Sequence, residues 1–591
     1  MNSSESAGRS SIRSRLVRVS LGLLSLTAAC SNVPAGHGIA ITVASPPAVS
    51  QYQPEAARRE GGSVVIGDWE SPTNFSPLFN DEVPAAEIDS LLYSGLVRLD
   101  AKLRPVADLA VRVPTPANGD VVWDRNSQRM DVSYQLRPGL RWSDGQPLTA
   151  SDVAFTWRTI VDPRSAGALS PDGYQAISRI DIHDPLRFTL HFDRIYPEYL
   201  DLFPAVLPEH RLGNVAVDHL SQDGFWARPD VTSGPYKIAE LVADDHVMLV
   251  RNEAWTQGRG GRRPHLDSIV YRIYPEVGQL LDAARAGRLQ LALEVPDDQL
   301  ATLTNTGPML LQQQSALAYE QVTFNQADPN PKTGRSPPWK NDLVLLRALR
   351  ASVDREALVK TRLAGKARLA QSPISSLLPD FHDADSAPRY DPGGAVRALD
   401  ADGWLAGTDG IRVKNGRRLS FTLTTALGNS LAGAVRDDLI TQWRRVGAEV
   451  IPAEAHPGDF FSGYAQGGLL ERGQFEAGLW TWSTSPDPDG VYPLQHSSQI
   501  PSDANQGHGS NFGHFNLGDI DRGLDRGRQT LTPGERVRYY REFERAYFRL
   551  AAELPLFERV QLVLASPRLH NLEPNSGPNT TLWNAADWWL E

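Results

Sequence analysis

The only cysteine in this chain of 591 residues is Cys30, so no internal disulfide can form and the fold must be held by buried apolar surface. The place of that cysteine narrows the choice further. Arg9, Arg13, Arg15 and Arg18 lead into a short apolar run, Leu16 to Leu26, followed by Thr27-Ala28-Ala29-Cys30. A basic start, about ten apolar residues and small residues at the exit make an export signal, too short to cross a hydrocarbon core of roughly 30 Å. The chain is therefore expected to fold outside the cytoplasm, with residues 1–30 as a signal peptide.

Thr27-Ala28-Ala29-Cys30 resembles the lipobox of bacterial lipoproteins. The resemblance implies cleavage before Cys30, a diacylglyceryl group on its thiol, and a protein anchored to the outer side of a membrane by lipid. Losing residues 1–30 removes four arginines and one glutamate and takes the net charge from −11 to −14. An acidic balance without basic runs excludes a nucleic-acid footprint, because phosphate binding needs clustered Lys and Arg. Residues 31–60, rich in Ser, Ala and Pro, read as a flexible tether reaching at most about 90 Å at roughly 3.1 Å per residue. No later stretch offers about 18 uninterrupted apolar residues.

From Gly61 strand and helix patterns alternate without a fixed repeat. Ser63 to Ile66 is a short β-type run, and Val132, Tyr134 and Leu136 alternate as one half-buried strand does. Thr532-Pro533-Gly534-Glu535 reads as a capping box, after which Val537, Tyr540, Glu544, Tyr547 and Ala551 share a helix face. Val435, Leu439, Trp443 and Val446 form a second stripe, closed by Gly447 as C′ residue. A third helix is expected from about Asp342 to Leu363. With 41% hydrophobic and 22% charged residues, this mixture predicts a multi-lobed α/β protein.

Catalytic and phosphate-binding motifs are missing from the sequence. No G-x-x-x-x-G-K-[ST], G-x-G-x-x-G or G-x-S-x-G occurs, so the chain is not expected to bind ATP itself or to carry a nucleophile elbow. Among thirteen histidines there is no H-E-x-x-H, and His508 and His514 lie in a Gly/Ser/Asn loop that reads as solvated. Asp487-Pro488-Asp489-Gly490 superficially matches an EF-hand start, but two prolines interrupt it and Ser498 stands where Glu is needed. Neither metal nor cofactor is expected, and an extracytoplasmic hydrolase would need a triad that nothing local marks.

One stretch joins strand, Asp-Gly turn and helix start: Tyr134 to Val153, YQLRPGLRWSDGQPLTASDV, in which Thr149 is placed to cap the Asp152 amide. It resembles the signature of the family 5 bacterial extracellular solute-binding proteins, the oligopeptide and dipeptide receptors of ATP-binding-cassette (ABC) importers. Similar segments follow in order. They are Tyr93-Ser94-Gly95-Leu96, Leu207-Pro208-Glu209-His210, Ser233-Gly234-Pro235-Tyr236, Arg251-Asn252-Glu253-Ala254-Trp255, Pro264-His265-Leu266-Asp267, Phe324-Asn325, Leu345 to Leu349 with Asp354-Arg355-Glu356, Asn511-Phe512, and Leu554-Pro555-Leu556-Phe557. The resemblance covers about residues 61–591. Most of these residues are expected to be structural, Asp144-Gly145 turning the chain and Gly234 permitting close packing.

Membership implies a two-lobed, periplasmic-binding-protein-like flytrap with an additional domain in the first lobe and a hinge closing on ligand. By analogy domain I combines residues 61–100, 231–322 and 558–591, domain II is 101–230 and domain III 323–557. The implied partners are a peptide or other small solute and separate ABC permease and ATPase subunits, with the binding protein itself a monomer. A relative repurposed for a glycoconjugate, haem or a nickel chelate would keep the fold and change the cleft.

The resemblance also implies a site. In peptide-binding relatives a Trp near the end of a domain III strand is followed three residues later by an Asp that receives the peptide ammonium. Aligning Trp482 with that Trp puts neutral Ser485 at the Asp position, with Asp487 as a substitute if the loop shifts or as a plain turn former. The loop Trp69-Glu70-Ser71-Pro72-Thr73-Asn74-Phe75 faces the cleft in relatives, with Glu70 a second candidate for a cation and Asn74 beside it. Trp69, Trp480, Trp482 and Tyr319 are candidate stacking surfaces, Trp480 and Trp482 sharing one strand face. Ser483 and Asn325 complete the candidate ligand contacts.

Overall fold

Two long strands organise the chain. Leu310–Phe324 and Glu553–Ala565 lie antiparallel at the centre of a ten-stranded sheet. Their pairing shifts register between Ser315 and Tyr319 and again between Glu320 and Gln321. At those irregularities the outer neighbours change. Leu562 to Ala565 pair with Leu291–Val295, which continues through Ser63–Asp68, Ser268–Ile273, His246–Arg251 and Tyr236–Val242. Ala318 to Phe324 pair instead with Ala477–Ser483, which leads to Ser420–Ala426 and Glu449–Ala455. One mixed sheet thus serves two lobes, joined by two strands that can bend where their ladder is broken. The computed structural model describes residues 49–591 apart from 166–170, 172, 257–262, 302, 304 and 384–388, so the Cys30 assignment and the first part of the tether lie outside it.

A four-stranded antiparallel sheet, in the order Val121–Asp124, Arg129–Gln135, Arg187–Phe192, Ile177–Asp184, is added to the first lobe. Met130, Val132 and Tyr134 point inward from its second strand, the alternation read from sequence. They join one core with Val64, Ile66, Trp142, Phe188 and Trp588. A second core runs from Leu280 across Phe324 and Leu564 to Trp339, Phe421 and Trp443 of the second lobe.

The signature run folds locally as expected. Gly145 takes φ +90° in the turn, and helix Ala150–Val161 starts with Asp152 Oδ2 accepting the Thr149 amide at 2.8 Å. A Cβ on Gly234 would lie 2.3 Å from the Leu91 carbonyl, so only glycine fits there. Helix Ser430–Arg445 buries Val435, Leu439 and Trp443 and ends before Gly447 at φ +87°.

Three expectations are corrected. The helix expected over 342–363 is two, Leu343–Ala351 and Arg355–Arg362, because Asp354 accepts the Ala357 amide and starts the second as Asp342 starts the first. Helix Pro533–Leu550 forms, but its capping box does not: Thr532 makes no side-chain cap, and Glu535 turns to Arg125 and to Thr530 Oγ1 (2.8 Å). Residues 49–60 are not free tether, since Tyr52 packs edge-on to Trp583 at 4.9 Å and Asn571 brackets Glu55.

Candidate functional site

The first-lobe wall starts at the end of strand Ser63–Asp68. Buried Asp68 accepts the Trp69 and Glu70 amides (2.6 and 3.3 Å) and the Tyr271 hydroxyl, and so fixes the turn that presents Trp69. Half-buried Trp69 donates its indole N–H to the Glu294 carbonyl at 2.8 Å. Glu70 is half-buried, pairs with no cation among the described residues, and is pushed up by burial and by Asp68 and Glu82. Asn74 is half-buried with its amide oxygen unpartnered. Behind this loop Glu294 is pushed up to about 7 and Glu87 to about 8, first by burial and then by neighbouring acids. The wall is electronegative and suits cationic or neutral ligand groups better than anions.

The second-lobe wall is strand Ala477–Ser483 and the turn after it. Trp480 and Trp482 face the same side with ring centroids 6.2 Å apart. Their roles differ with depth. Trp480 is only 4% exposed, packed against Phe460 and Phe475, and reads as core. Trp482 is half-buried, tilted on Phe512 at 5.2 Å, and keeps a surface toward solvent. Ser483 is exposed. Ser485 accepts the Asp487 amide at 3.1 Å and lies 3.4 Å from Glu198 Oε1 of the first lobe.

Asp487 is already occupied. Its carboxylate takes a two-pronged contact from Arg536 (2.6 and 2.8 Å) and accepts the Asp489 amide (2.8 Å), which starts the turn Pro488–Val491. Tyr319 and Asn325 are not at a ligand surface. Tyr319 is 2% exposed, and Asn325 is fully buried with its amide nitrogen on the Gly473 and Phe475 carbonyls (2.8 and 3.0 Å). No ring contact, hydrogen bond or ion pair joins Trp69, Glu70 or Asn74 to residues 480–487 among the described residues. The two groups sit apart, on different strands of the large sheet and the turns that follow them.

Sequence reasoning missed the groups that tie the lobes together. Arg559 holds Asp297 through two hydrogen bonds (2.6 and 2.7 Å), donates to Thr481 Oγ1 (2.8 Å) and lies 3.6 Å from Glu320, linking both lobes at the level of the broken ladder. Arg536 and Glu198 gave no local signal either, since each matters only through a partner far along the chain.

Comparison with known proteins agrees with this architecture. The family model described as "Bacterial extracellular solute-binding proteins, family 5 Middle" matches residues 120–502. The oligopeptide-binding protein AppA of Bacillus subtilis is 26% identical over 545 residues, covering 90% of this chain and 92% of that relative. The structure of AppA from Bacillus subtilis in complex with a nonapeptide superposes with a TM-score of 0.68 at 23% identity, covering 91% of this chain and all of the other. NikZ from Campylobacter jejuni in complex with Ni(L-His) gives a TM-score of 0.69 at 21% identity, covering 89% and 99%.

Proposed function

Because this chain belongs to the bacterial extracellular solute-binding proteins, family 5, we propose that it is the peptide-capturing, lipid-anchored component of an ABC importer, working with separate permease and ATPase subunits. The observation that carries the peptide reading is the half-paired strand Ala477–Ser483. One edge pairs with Leu310–Phe324 along its whole length, whereas the other pairs with Ser420–Ala426 only at Ala477 and Gly478. From Leu479 to Ser483 that second edge makes no strand pairing among the described residues, so an extended peptide can add to it through main-chain hydrogen bonds. Such pairing is indifferent to peptide sequence. The half-buried Trp482 ring beside it supplies contact area.

In this reading domain I is 61–100, 231–322 and 558–591, domain II 101–230 and domain III 323–557, consistent with the exchange of strand neighbours along the two long strands. Cys30 carries the lipid, and the protein acts as a monomer that binds and delivers without chemistry. No helix among the described residues is long and apolar enough to cross a membrane.

Neutral Ser485 and the engagement of Asp487 by Arg536 mean that a free peptide amino terminus gains little at this turn. Thermal shift with a free-amine peptide, its N-acetylated form, a glycoconjugate and a nickel chelate tests the reading. A ligand at 100 times its Kd stabilises by about 2.7 kcal/mol, and the two peptide forms should bind within about tenfold, or 1.4 kcal/mol. Stabilisation by the glycoconjugate or chelate alone would replace the peptide reading. A hundredfold preference for the free amine that Glu70→Gln abolishes would move charge recognition to the first-lobe wall.

A further inference from the structure

Away from the two long strands, the lobes meet again through four segments. From the first lobe come the turn between strands Val121–Asp124 and Arg129–Gln135 and the stretch 195–202; from the second come residues 484–491 and the start of helix Pro533–Leu550. Arg125 ion-pairs with Glu535 and reaches Thr530 Oγ1 at 3.5 Å, and Leu531 packs on the first-lobe core. Deeper in the contact, Ser485 touches Glu198.

The charges buried there do not balance. The second lobe brings Asp487 and Asp489, each with an arginine of its own lobe: Arg536 on Asp487, and Arg528 on Asp489 at 3.1 Å, where Tyr540 also donates at 2.9 Å. The first lobe brings Glu198 and Asp201. Glu198 has only the Ser485 hydroxyl and the Tyr196 hydroxyl (3.2 Å), and neither acid has a lysine or arginine within ion-pairing distance among the described residues. Both lie within the field of Asp487 and Arg536, and Glu198 feels Asp489 as well. Two half-buried first-lobe acids of one turn, the Asp201 N–H donating to the Glu198 carbonyl at 3.0 Å, thus meet a contact whose arginines are already engaged. A carboxylate partly withdrawn from water without its own cation is disfavoured, and protonation removes the charge.

We propose that docking of the first lobe onto the second is proton-linked, Glu198 and Asp201 entering the closed contact as neutral acids, so that mild acid closes the lobes and alkali opens them. In the docked form Asp201 is pushed up to about 7 by burial and by Asp487 against the opposing pull of Arg536. Glu198 is pushed up by burial and by Asp487, Asp489 and Asp201. Opening the lobes takes both acids away from Asp487 and into water, which returns them toward the ordinary carboxylate range. The docked form therefore binds more protons, and docking weakens as pH rises from that range to about 7, by up to about tenfold per pH unit for each group. The acid limit comes from Glu535. Burial raises it, but Thr530 and Arg125 outweigh that and hold it below its usual value, so the cross-lobe ion pair survives until the carboxylate range itself.

Small-angle X-ray scattering on the ligand-free full chain at pH 5.5 and 8.0 tests this without knowledge of the ligand. The wild type should be more compact at pH 5.5, its docked-to-open ratio falling at least tenfold by pH 8.0. Glu198→Gln with Asp201→Asn should stay docked at both pH values. Each single variant should lose part of the response, and this keeps the test valid if the double variant fails to fold by circular dichroism. A wild type with the same dimensions at both pH values, or a folded double variant that keeps the full wild-type response, would overturn the proposal.

Discussion

Replacing Asp487 with Asn separates structure from ligand recognition at this turn. Asp487 and Arg536 are 18% and 11% exposed and joined by contacts of 2.6 and 2.8 Å, so their attraction is only partly screened. At an effective dielectric near 20, unit charges about 4 Å apart attract by about 4 kcal/mol, and removing one partner of a buried pair costs about 3–5 kcal/mol. Both partners keep some exposure to water, which places the loss at the low end, about 3 kcal/mol. Asn retains an oxygen to accept the Asp489 amide, so the turn Pro488–Val491 should persist. The expected outcome is a lower urea midpoint by tryptophan fluorescence, with the ratio of free-amine to N-acetylated peptide affinities unchanged in calorimetry. A stability loss below about 1 kcal/mol, together with loss of a strong free-amine preference, would mean that Asp487 serves the ligand and that the account of Arg536 is wrong.

Three further outcomes are expected. Trp482→Ala should weaken peptide binding about tenfold by calorimetry with little loss of stability, whereas Trp480→Ala should cost about 3–5 kcal/mol in urea unfolding; unchanged affinity in Trp482→Ala would place the cleft elsewhere. Glu87 is held at about 8 by burial and by Glu294, so its native state binds a proton that the unfolded chain releases above the carboxylate range, and stability should fall as pH rises toward 8. Glu87→Gln should therefore raise stability by up to about 5 kcal/mol at pH 8 and hardly at all at pH 4; an equal effect at both pH values would argue against this. Cys30→Ala should leave uncleaved precursor or protein in the aqueous phase of a detergent partition, and correct processing into the detergent phase would refute lipidation at Cys30.

Much of the first-order architecture was legible because it is local. The alternation of Val132 and Tyr134, the Asp144-Gly145 turn and the stripe of Val435, Leu439 and Trp443 depend on periods of two and 3.6 residues and on backbone freedom, which sequence records directly. The missed helix break at Ser352–Asp354 is local too, but there a capping aspartate overrode a continuous apolar pattern.

Roles that depend on depth or on a distant partner were decided by tertiary structure. Trp480 and Trp482 have the same residue type and strand face, yet one is sealed beneath Phe460 and Phe475 while the other keeps an open surface, because burial depends on what the rest of the chain lays over each ring. Asp487 carries a free carboxylate in the sequence, and only the fold brings Arg536, 49 residues on, to neutralise it. Glu535 has the spacing of a capping residue, but Arg125, 410 residues away, attracts it more strongly than the helix end does. Electrostatic partners are set by distance in space, and a one-dimensional pattern carries that distance only within a turn or two of the chain.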